Sequence, residues 1–307
     1  MLRYSKDQLE ESQITPGGAE YNVACSLAKL GVSVKWISAL PNDESAEAIT
    51  TPAIESGAQI SIINSNHPVG EYRIIREKNN VSYNRANSAF ANLKPDEINW
   101  RQEINGARWL VISGITPLLG DGPKSNWATA MTFSELDGTL VALDLNHRPP
   151  LGTFEELWSE VEPRIRQIHL LILSPSNLST LTGEDDLEML VQLRNRLNLP
   201  FLACTWKEDV NGVQKRWSAV AHSKGVDSTK EMAVNHTPLE PLGGGDAWLA
   251  GFIDGLLEGL DPINCCRRGD TLAALTQQTF GDLGNVTREE LSRWELIEGE
   301  YDLLQDG

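Results

Sequence analysis

Basic residues are scarce in this chain: 26 Lys and Arg stand against 43 Asp and Glu in 307 residues, a formal net charge of −17. No basic stripe offsets that excess, which argues against nucleic acid or an acidic membrane surface as a partner. An anionic small molecule remains open, because exposed charges are screened beyond roughly 10 Å and a few Arg residues in one pocket outweigh a distant surplus. Cysteine is also sparse. The four, at 25, 204, 265 and 266, lack paired metal or redox spacing, and no His or Cys cluster has metal-ligand spacing, so reduced thiols, a cytoplasmic setting and no protein-built metal site are expected. Cys265 and Cys266 are adjacent in an apparent helix and point to different faces, which suits core packing. No apolar run has the length of a membrane span, and Met1-Leu2-Arg3-Tyr4-Ser5-Lys6-Asp7 lacks the apolar centre of a signal peptide. Repeats and low-complexity tracts are absent, and no G-x-G-x-x-G follows an early strand, which sets aside a dinucleotide-binding oxidoreductase. What remains, at 40% hydrophobic and 22% charged, is a globular chain long enough for one large α/β domain with a small appendage.

The stretch Leu242-Gly243-Gly244-Gly245-Asp246-Ala247-Trp248 runs straight into the apolar segment Leu249 to Leu260. Three glycines leave backbone N–H groups uncovered, and the following helix adds its positive N-terminal end, so a phosphate or developing oxyanion could sit there. A carboxylate such as Asp246 is a poor neighbour for a phosphate unless it accepts a proton from an attacking hydroxyl. The plainer alternative is a glycine turn with a capping Asp.

Pro16-Gly17-Gly18-Ala19 breaks the chain after an opening segment without apolar alternation, and Glu20 to Leu30 is helical by its spacing of Val23, Leu27 and Leu30. Gly17 and Gly18 let a ligand approach the backbone closely, and Asn22 could reach the same ligand. Val32 to Leu40 reads as a strand, Ser45 to Ser56 as a helix and Gln59 to Asn64 as a strand. The segments from Gly70 to Glu77 and from Val81 to Arg85, closed by Asn79-Asn80, alternate polar and aromatic residues as a hairpin does. Such a ribbon is either a lid aiming Tyr72, Tyr83 and Arg85 at a ligand or a solvated hairpin with aromatic cross-strand pairs. From Ala107 strands and helices alternate, with strands at 109–114, 139–144, 170–173 and 201–205 and helices at 124–136, 154–168 and 187–197, the pattern of a parallel sheet covered on both faces. Ligands bind at the carboxyl ends of such strands. That places Asn146, His147 and Arg148, then Ser174 to Asn177, then Thr205 to Glu208 along one edge. Arg148 is an anion-clamp candidate, or else a cap on a neighbouring helix; His147 fits packing better than catalysis. A hairpin over Gly212 to Val220, helices over 249–260 and 268–280, and a last helix capped by Thr287 complete the reading.

Five stretches in order now stand together: Gly17-Gly18-Ala19-Glu20-Tyr21-Asn22-Val23-Ala24, Tyr83-Asn84-Arg85-Ala86-Asn87-Ser88-Ala89-Phe90, Ser113-Gly114-Ile115-Thr116-Pro117, Leu143-Asp144-Leu145-Asn146-His147-Arg148-Pro149 and Gly243-Gly244-Gly245-Asp246-Ala247. With them the chain resembles the ribokinase-like (PfkB-type) carbohydrate kinases over nearly its whole length, and within them the 2-keto-3-deoxygluconate kinases. The resemblance implies a three-layer α/β sandwich with a mostly parallel central sheet and a small β lid, formed by residues of about 1–16 and 69–86 within one domain. It implies ATP-dependent phosphorylation of a sugar-acid hydroxyl, with Asp246 as general base and Gly243, Gly244 and Gly245 as anion hole. Gly18, Asn22, Tyr72, Tyr83, Arg85 and Arg148 match substrate positions, the two arginines suiting a carboxylate. Ser174, Asn177, Thr205 and Lys207 fall on the ATP side, with Mg²⁺ held mainly by ATP and water. Lid strands in this fold can pair between subunits, which allows a homodimer.

Four departures accompany the match. The family's first strand is missing ahead of Met1-Leu2-Arg3-Tyr4; Ser174-Pro175-Ser176-Asn177 lacks the family's carboxylate near Mg²⁺; Glu240 and Pro241 alter the lead-in to the glycine loop; and Trp206-Lys207-Glu208-Asp209 replaces a glycine-containing nucleotide turn. The alternatives they leave are a sugar-acid-binding or regulatory protein that has lost phosphotransfer, and a kinase of a related ketose such as fructose.

Overall fold

Short apolar strands separated by amphipathic helices do build a sheet covered on both faces in the structure, a computed structural model that describes residues 1–6, 12–75, 80–295, 299 and 301–303. The chain opens with the antiparallel pair β1 (Leu2–Lys6) and β2 (Ser12–Pro16), then α1 (Ala19–Lys29), β3 (Lys35–Leu40), α2 (Glu44–Glu55) and β4 (Gln59–Asn64). The antiparallel β5 (Glu71–Ile75) and β6 (Asn80–Asn84) follow, and the short α3 (Trp100–Glu103) leads to β7 (Trp109–Ser113), α4 (Asp121–Asp137), β8 (Leu140–Asp144), α5 (Phe154–Val161) and β9 (Leu170–Leu173). After α6 (Pro175–Thr182) and α7 (Leu187–Leu197) come the long hairpin β10 (Phe201–Val210) and β11 (Val213–His222), then β12 (Gly225–Ser228) and β13 (Val234–His236). The chain closes with α8 (Gly244–Glu258), α9 (Pro262–Gln277), α10 (Arg288–Glu295) and β14 (Tyr301–Leu303).

The large sheet has the order β14-β13-β11-β10-β9-β8-β7, with β12 on β11, and β7 to β10 run parallel. All of Leu170–Leu173 is buried, as a strand sandwiched by helices requires. One face packs on α4 to α7 through Trp127, Leu157, Leu178 and Leu190, and the other on α1, α8 and α9 through Leu27, Trp248, Phe252 and Leu272. β3 and β4 form a separate parallel pair, and β2-β1-β5-β6 make a four-stranded sheet above the carboxyl edge. No helix among the described residues is long and apolar enough to cross a membrane.

Several boundaries differ from the sequence reading. The helix expected over 154–168 ends at Val161, because Pro163 opens a tighter 3₁₀ turn over Glu162–Gln167. The strand expected to stop at Thr205 continues to Val210, each residue paired with β11 around the turn at Asn211 and Gly212, so Trp206 to Asp209 is a hairpin arm rather than a loop. α9 starts at Pro262, six residues before the expected Arg268, where Asp261 caps Asn264 N at 3.2 Å. Asn79, expected in the β5–β6 turn, lies outside the described residues. Thr287 does cap the last helix, its Oγ1 accepting from Glu290 N while Glu290 accepts from Thr287 N.

Candidate active site

Most of the longer helices start from a side-chain cap: Asp43 on α2, Thr153 on α5, Asp186 on α7. α1 and α8, like α4, start instead at glycines, Gly18 and Gly243, with no side-chain hydrogen bond to the first turn. Their leading N–H groups are therefore left for something else, and an anion is the natural partner. The three glycines of the α8 loop have three different causes. Gly243 sits at φ 68°, and a Cβ there would come within 2.0 Å of the Asp282 carbonyl oxygen. At Gly244 a Cβ would meet the Arg216 guanidinium at 2.6 Å and the Gln277 amide at 2.8 Å, whereas beside Gly245 nothing lies within 4 Å, so the open face of the loop is there.

Asp246 stands in the first turn of α8, and Asn22 of α1 donates its Nδ2 to Asp246 Oδ2 at 2.7 Å. The carboxyl is deeply set with one face still open. Burial pushes its pKa up to about 8, the Asp144 and Asp282 charges add to the rise, and the Asn22 hydrogen bond and Arg148 oppose it. Asn22 Oδ1 is buried without a partner among the described residues, an acceptor waiting for a donor. Asp144, at the carboxyl end of β8, accepts from Asn146 N at 3.0 Å and is pushed up to about 6, mainly by burial.

The four-stranded sheet covers this centre. Tyr72 on β5 is buried, donates its hydroxyl to Asp282 Oδ2 at 2.5 Å and stacks on Tyr83 of β6 at 5.7 Å. Arg85 lies over the Tyr83 ring at 4.1 Å, and its Nε is buried without a hydrogen-bond partner among the described residues. Burial works against the Arg85 cation, Tyr83 favours it, and the nearby Arg148 charge disfavours it again. Two guanidinium groups are thus held close enough to repel, the electrostatic condition an anionic ligand relieves. Arg148 itself is exposed ahead of Pro149, while His147 is engaged structurally, its Nε2 2.9 Å from the Gly152 carbonyl and its ring edge-on to Phe154.

On the other side of the glycine loop, Thr205 and Lys207 alternate with Trp206, which turns away to stack on Trp217 at 4.1 Å in the core. Trp206 therefore does not obstruct the polar face. Lys207 pairs across the ladder with Arg216; the residue is exposed overall, and its pKa is lowered by partial desolvation of the ammonium and then by the Arg216 and Arg148 charges. Arg216 donates to Gln277 Oε1 at 3.2 Å, and its Nε is buried without a partner among the described residues. Ser174 caps α6, its Oγ accepting from Asn177 N at 3.2 Å, and Asn177 is buried beside it.

Three participants escaped the sequence reading, Asp282, Arg216 and Arg3, and Glu240, noted there only as an altered lead-in to the glycine loop, proves to be a partner of Arg3. Arg3 bonds the Glu240 carboxylate, which also accepts from Gly281 N at 2.8 Å, so the first strand is tied to the turn that carries Asp282. The only sequence signal for Asp282 is its bracketing by Gly281 and Gly284.

The pfkB family of carbohydrate kinases matches this chain over residues 3–287. The chain belongs to that family. It is an α/β protein of ribokinase-like fold and a carbohydrate kinase, an enzyme that transfers a phosphoryl group. Its pfkB relatives include the 2-dehydro-3-deoxygluconokinase of Bacillus subtilis, 28% identical over 291 residues, covering 90% of this chain and 85% of that one. The 2-dehydro-3-deoxygalactonokinase of Haloferax volcanii is 26% identical over 283 residues, covering 90% and 86%. Among solved structures, the 2-dehydro-3-deoxygluconokinase of Thermotoga maritima superposes with a TM-score of 0.88 at 25% identity, covering 96% of this chain and 95% of that one.

Proposed function

We propose that the protein phosphorylates a hydroxyl of a sugar acid of the 2-keto-3-deoxygluconate type, with ATP as donor and Asp246 as general base. One observation carries this reading: the cluster of Asp246, the unpartnered Asn22 Oδ1 and the mutually repelling Arg85 and Arg148 offers a proton acceptor, a hydroxyl acceptor and a carboxylate clamp in one place. The substrate hydroxyl lies against Asp246, and its acid group pairs with Arg85 and Arg148 through charge-assisted bonds. Tyr72 and Tyr83 form the wall, and Gly18 admits the substrate to the backbone.

The N–H groups of Gly243 to Gly245 receive the negative charge that grows on the phosphoryl oxygens, where a preorganised helix N-terminus is most effective. Lys207 and Arg216, with Thr205 on the same face, lie beside that loop on the donor side. Mg²⁺ would neutralise phosphate charge here, carried by the ATP oxygens and water, since it readily keeps several waters.

An ADP-release assay with 2-keto-3-deoxygluconate tests the reading. Asp246→Asn is expected to lower kcat by roughly 10²–10⁴-fold while calorimetry still detects the sugar acid. Equal turnover by wild type and Asp246→Asn, with sugar-acid binding intact in both, would replace the kinase reading with that of a binding protein. Turnover of fructose in preference to the acid would move the substrate to a ketose.

A further inference from the structure

Arg216 of β11 is a buried charge with no counter-ion against it. The residue is 4% exposed, its Nε has no hydrogen-bond partner among the described residues, and its Nη2 has a neutral acceptor, Gln277 Oε1 at 3.2 Å. Asp270 favours the cation only from a distance, its Oδ2 being taken up by Ser218 Oγ at 2.9 Å and Thr229 Oγ1 at 2.6 Å. Other buried arginines are better provided for. Arg268 bonds Asp254 at 2.6 Å and Glu258 at 2.8 Å, Arg3 bonds Glu240, and Arg267 lies over the Tyr301 ring at 5.5 Å. A guanidinium taken out of water without an ion pair destabilises the fold that contains it, so Arg216 is placed for something other than stability.

Its position makes the anomaly larger. A Cβ on Gly244 would meet the Arg216 Nη2 at 2.6 Å, so the guanidinium lies against the buried side of the glycine loop, whereas the loop opens at Gly245. That loop is the N-terminal end of α8, already positive, and a cation there has the wrong sign for the helix. The neighbours do not restore the balance. Gln277 Oε1 also receives His236 Nε2 at 3.0 Å, and burial, with the Arg216 charge behind it, lowers the His236 pKa to about 4 and keeps that ring neutral. Lys207, across the β10–β11 ladder, is a further cation. The support is firm as well, since the Gln277 carbonyl accepts from Leu239 N at 2.8 Å in the lead-in to the loop. A fixed positive charge behind an uncapped helix N-terminus is a site completed by an anion.

We propose that Arg216 is a positioning cation for phosphoryl transfer: from behind Gly244, and acting through the loop backbone, it holds the donor phosphates at the α8 N-terminus. This role rests on the kinase reading with ATP as donor. In a buried setting a fixed charge acts through one layer of backbone with little screening, and it needs no rearrangement as the transferring group gains negative charge. Gly244 is glycine for the same reason, because a side chain there would displace the guanidinium. A trade follows from the placement. The empty protein is less stable for containing Arg216, and a bound polyphosphate restores the loss.

The test uses Arg216→Met, which removes the charge at similar length, and Arg216→Lys, which keeps it. Melting temperature is read for wild type and both variants with and without inorganic tripolyphosphate, at an ionic strength held constant with chloride. The wild type is expected to gain a few degrees from tripolyphosphate, Arg216→Lys at least half as much, and Arg216→Met almost nothing. Equal gains in all three chains, or no gain in the wild type, overturn the proposal. So does an Arg216→Met protein that melts several degrees below wild type without the anion, since Arg216 would then be a structural brace. Initial rates give the second readout: kcat/KM for ATP is expected to fall roughly 10–100-fold in Arg216→Met and less in Arg216→Lys, with KM for 2-keto-3-deoxygluconate unchanged. An unchanged kcat/KM for ATP overturns the role. The tripolyphosphate shift needs no turnover, so a wild type that fails to phosphorylate the sugar acid refutes the substrate reading and leaves Arg216 to be judged by melting. Should Arg216→Met not fold, Arg216→Gln, neutral and still able to bond Gln277, takes its place in both measurements.

Discussion

On the proposed acceptor side of the glycine loop, side chains from α1, β5, α8 and the turn after α9 are tied to one another, Asn22 to Asp246 and Tyr72 to Asp282. On the proposed donor side, Lys207 and Arg216 stand on one hairpin with Gln277 of α9 beside Arg216, and Lys207 is exposed. The difference teaches where selectivity resides. A substrate with many hydroxyl groups needs several fixed partners from different segments, whereas a polyphosphate is held by charge and by the helix N-terminus, with looser demands on geometry.

Substitutions on the two sides should therefore separate. Arg85→Ala is expected to raise KM for the sugar acid by roughly 10–100-fold, the worth of a charge-assisted bond, with KM for ATP unchanged. Lys207→Ala should do the reverse, raising KM for ATP by roughly 3–10-fold, the scale of an exposed charge. Initial-rate kinetics with each substrate varied in turn would show it, and equal changes in both constants for either variant would dissolve the distinction. A smaller effect concerns Asp246 and pH. Its folded pKa is raised from 3.8 to about 8, so the folded state holds the proton more tightly. The group then costs no stability below pH ~4, and its cost grows as pH climbs from there through about 8. Asp246→Asn removes that cost, so its melting temperature should exceed that of wild type by a few degrees at about pH 9 and by much less at about pH 5. A constant difference across that range would mean that Asp246 is not buried with a raised pKa. Smallest is Tyr72→Phe, which deletes the hydroxyl bonded to Asp282 and should cost about 1 kcal/mol in a denaturant titration, with sugar-acid kcat/KM reduced about threefold.

Much of this layout is legible in the sequence. The strands from β7 to β9 announce themselves as short apolar runs, and the Thr287 cap by its Glu290 three residues on. Asp246 and Asn22 are legible as candidates because glycines precede each of them at a helix start. The β1–β2 pair is not: Leu2 reaches a core, but the strands otherwise pair with each other and β5, and such pairing leaves no apolar alternation to read. The outer half of β10 is hidden for a related reason: Lys207-Glu208-Asp209 has the composition of a loop, and only the ladder to β11 makes it a strand. Helical spacing of Ile165 and Ile168 disguises the break at Pro163. Asp282 is invisible because its importance comes from Tyr72, 210 residues away.

The hydrogen bond between Asn22 and Asp246 joins residues 224 apart in sequence. Contacts of that separation close late in folding, after local helices and neighbouring strands have formed. The proposed reactive centre is consequently not a property of either end of the chain. Refolding followed by far-ultraviolet circular dichroism should regain helix first and catalytic turnover last, so enzymatic activity doubles as a reporter that the two ends have met.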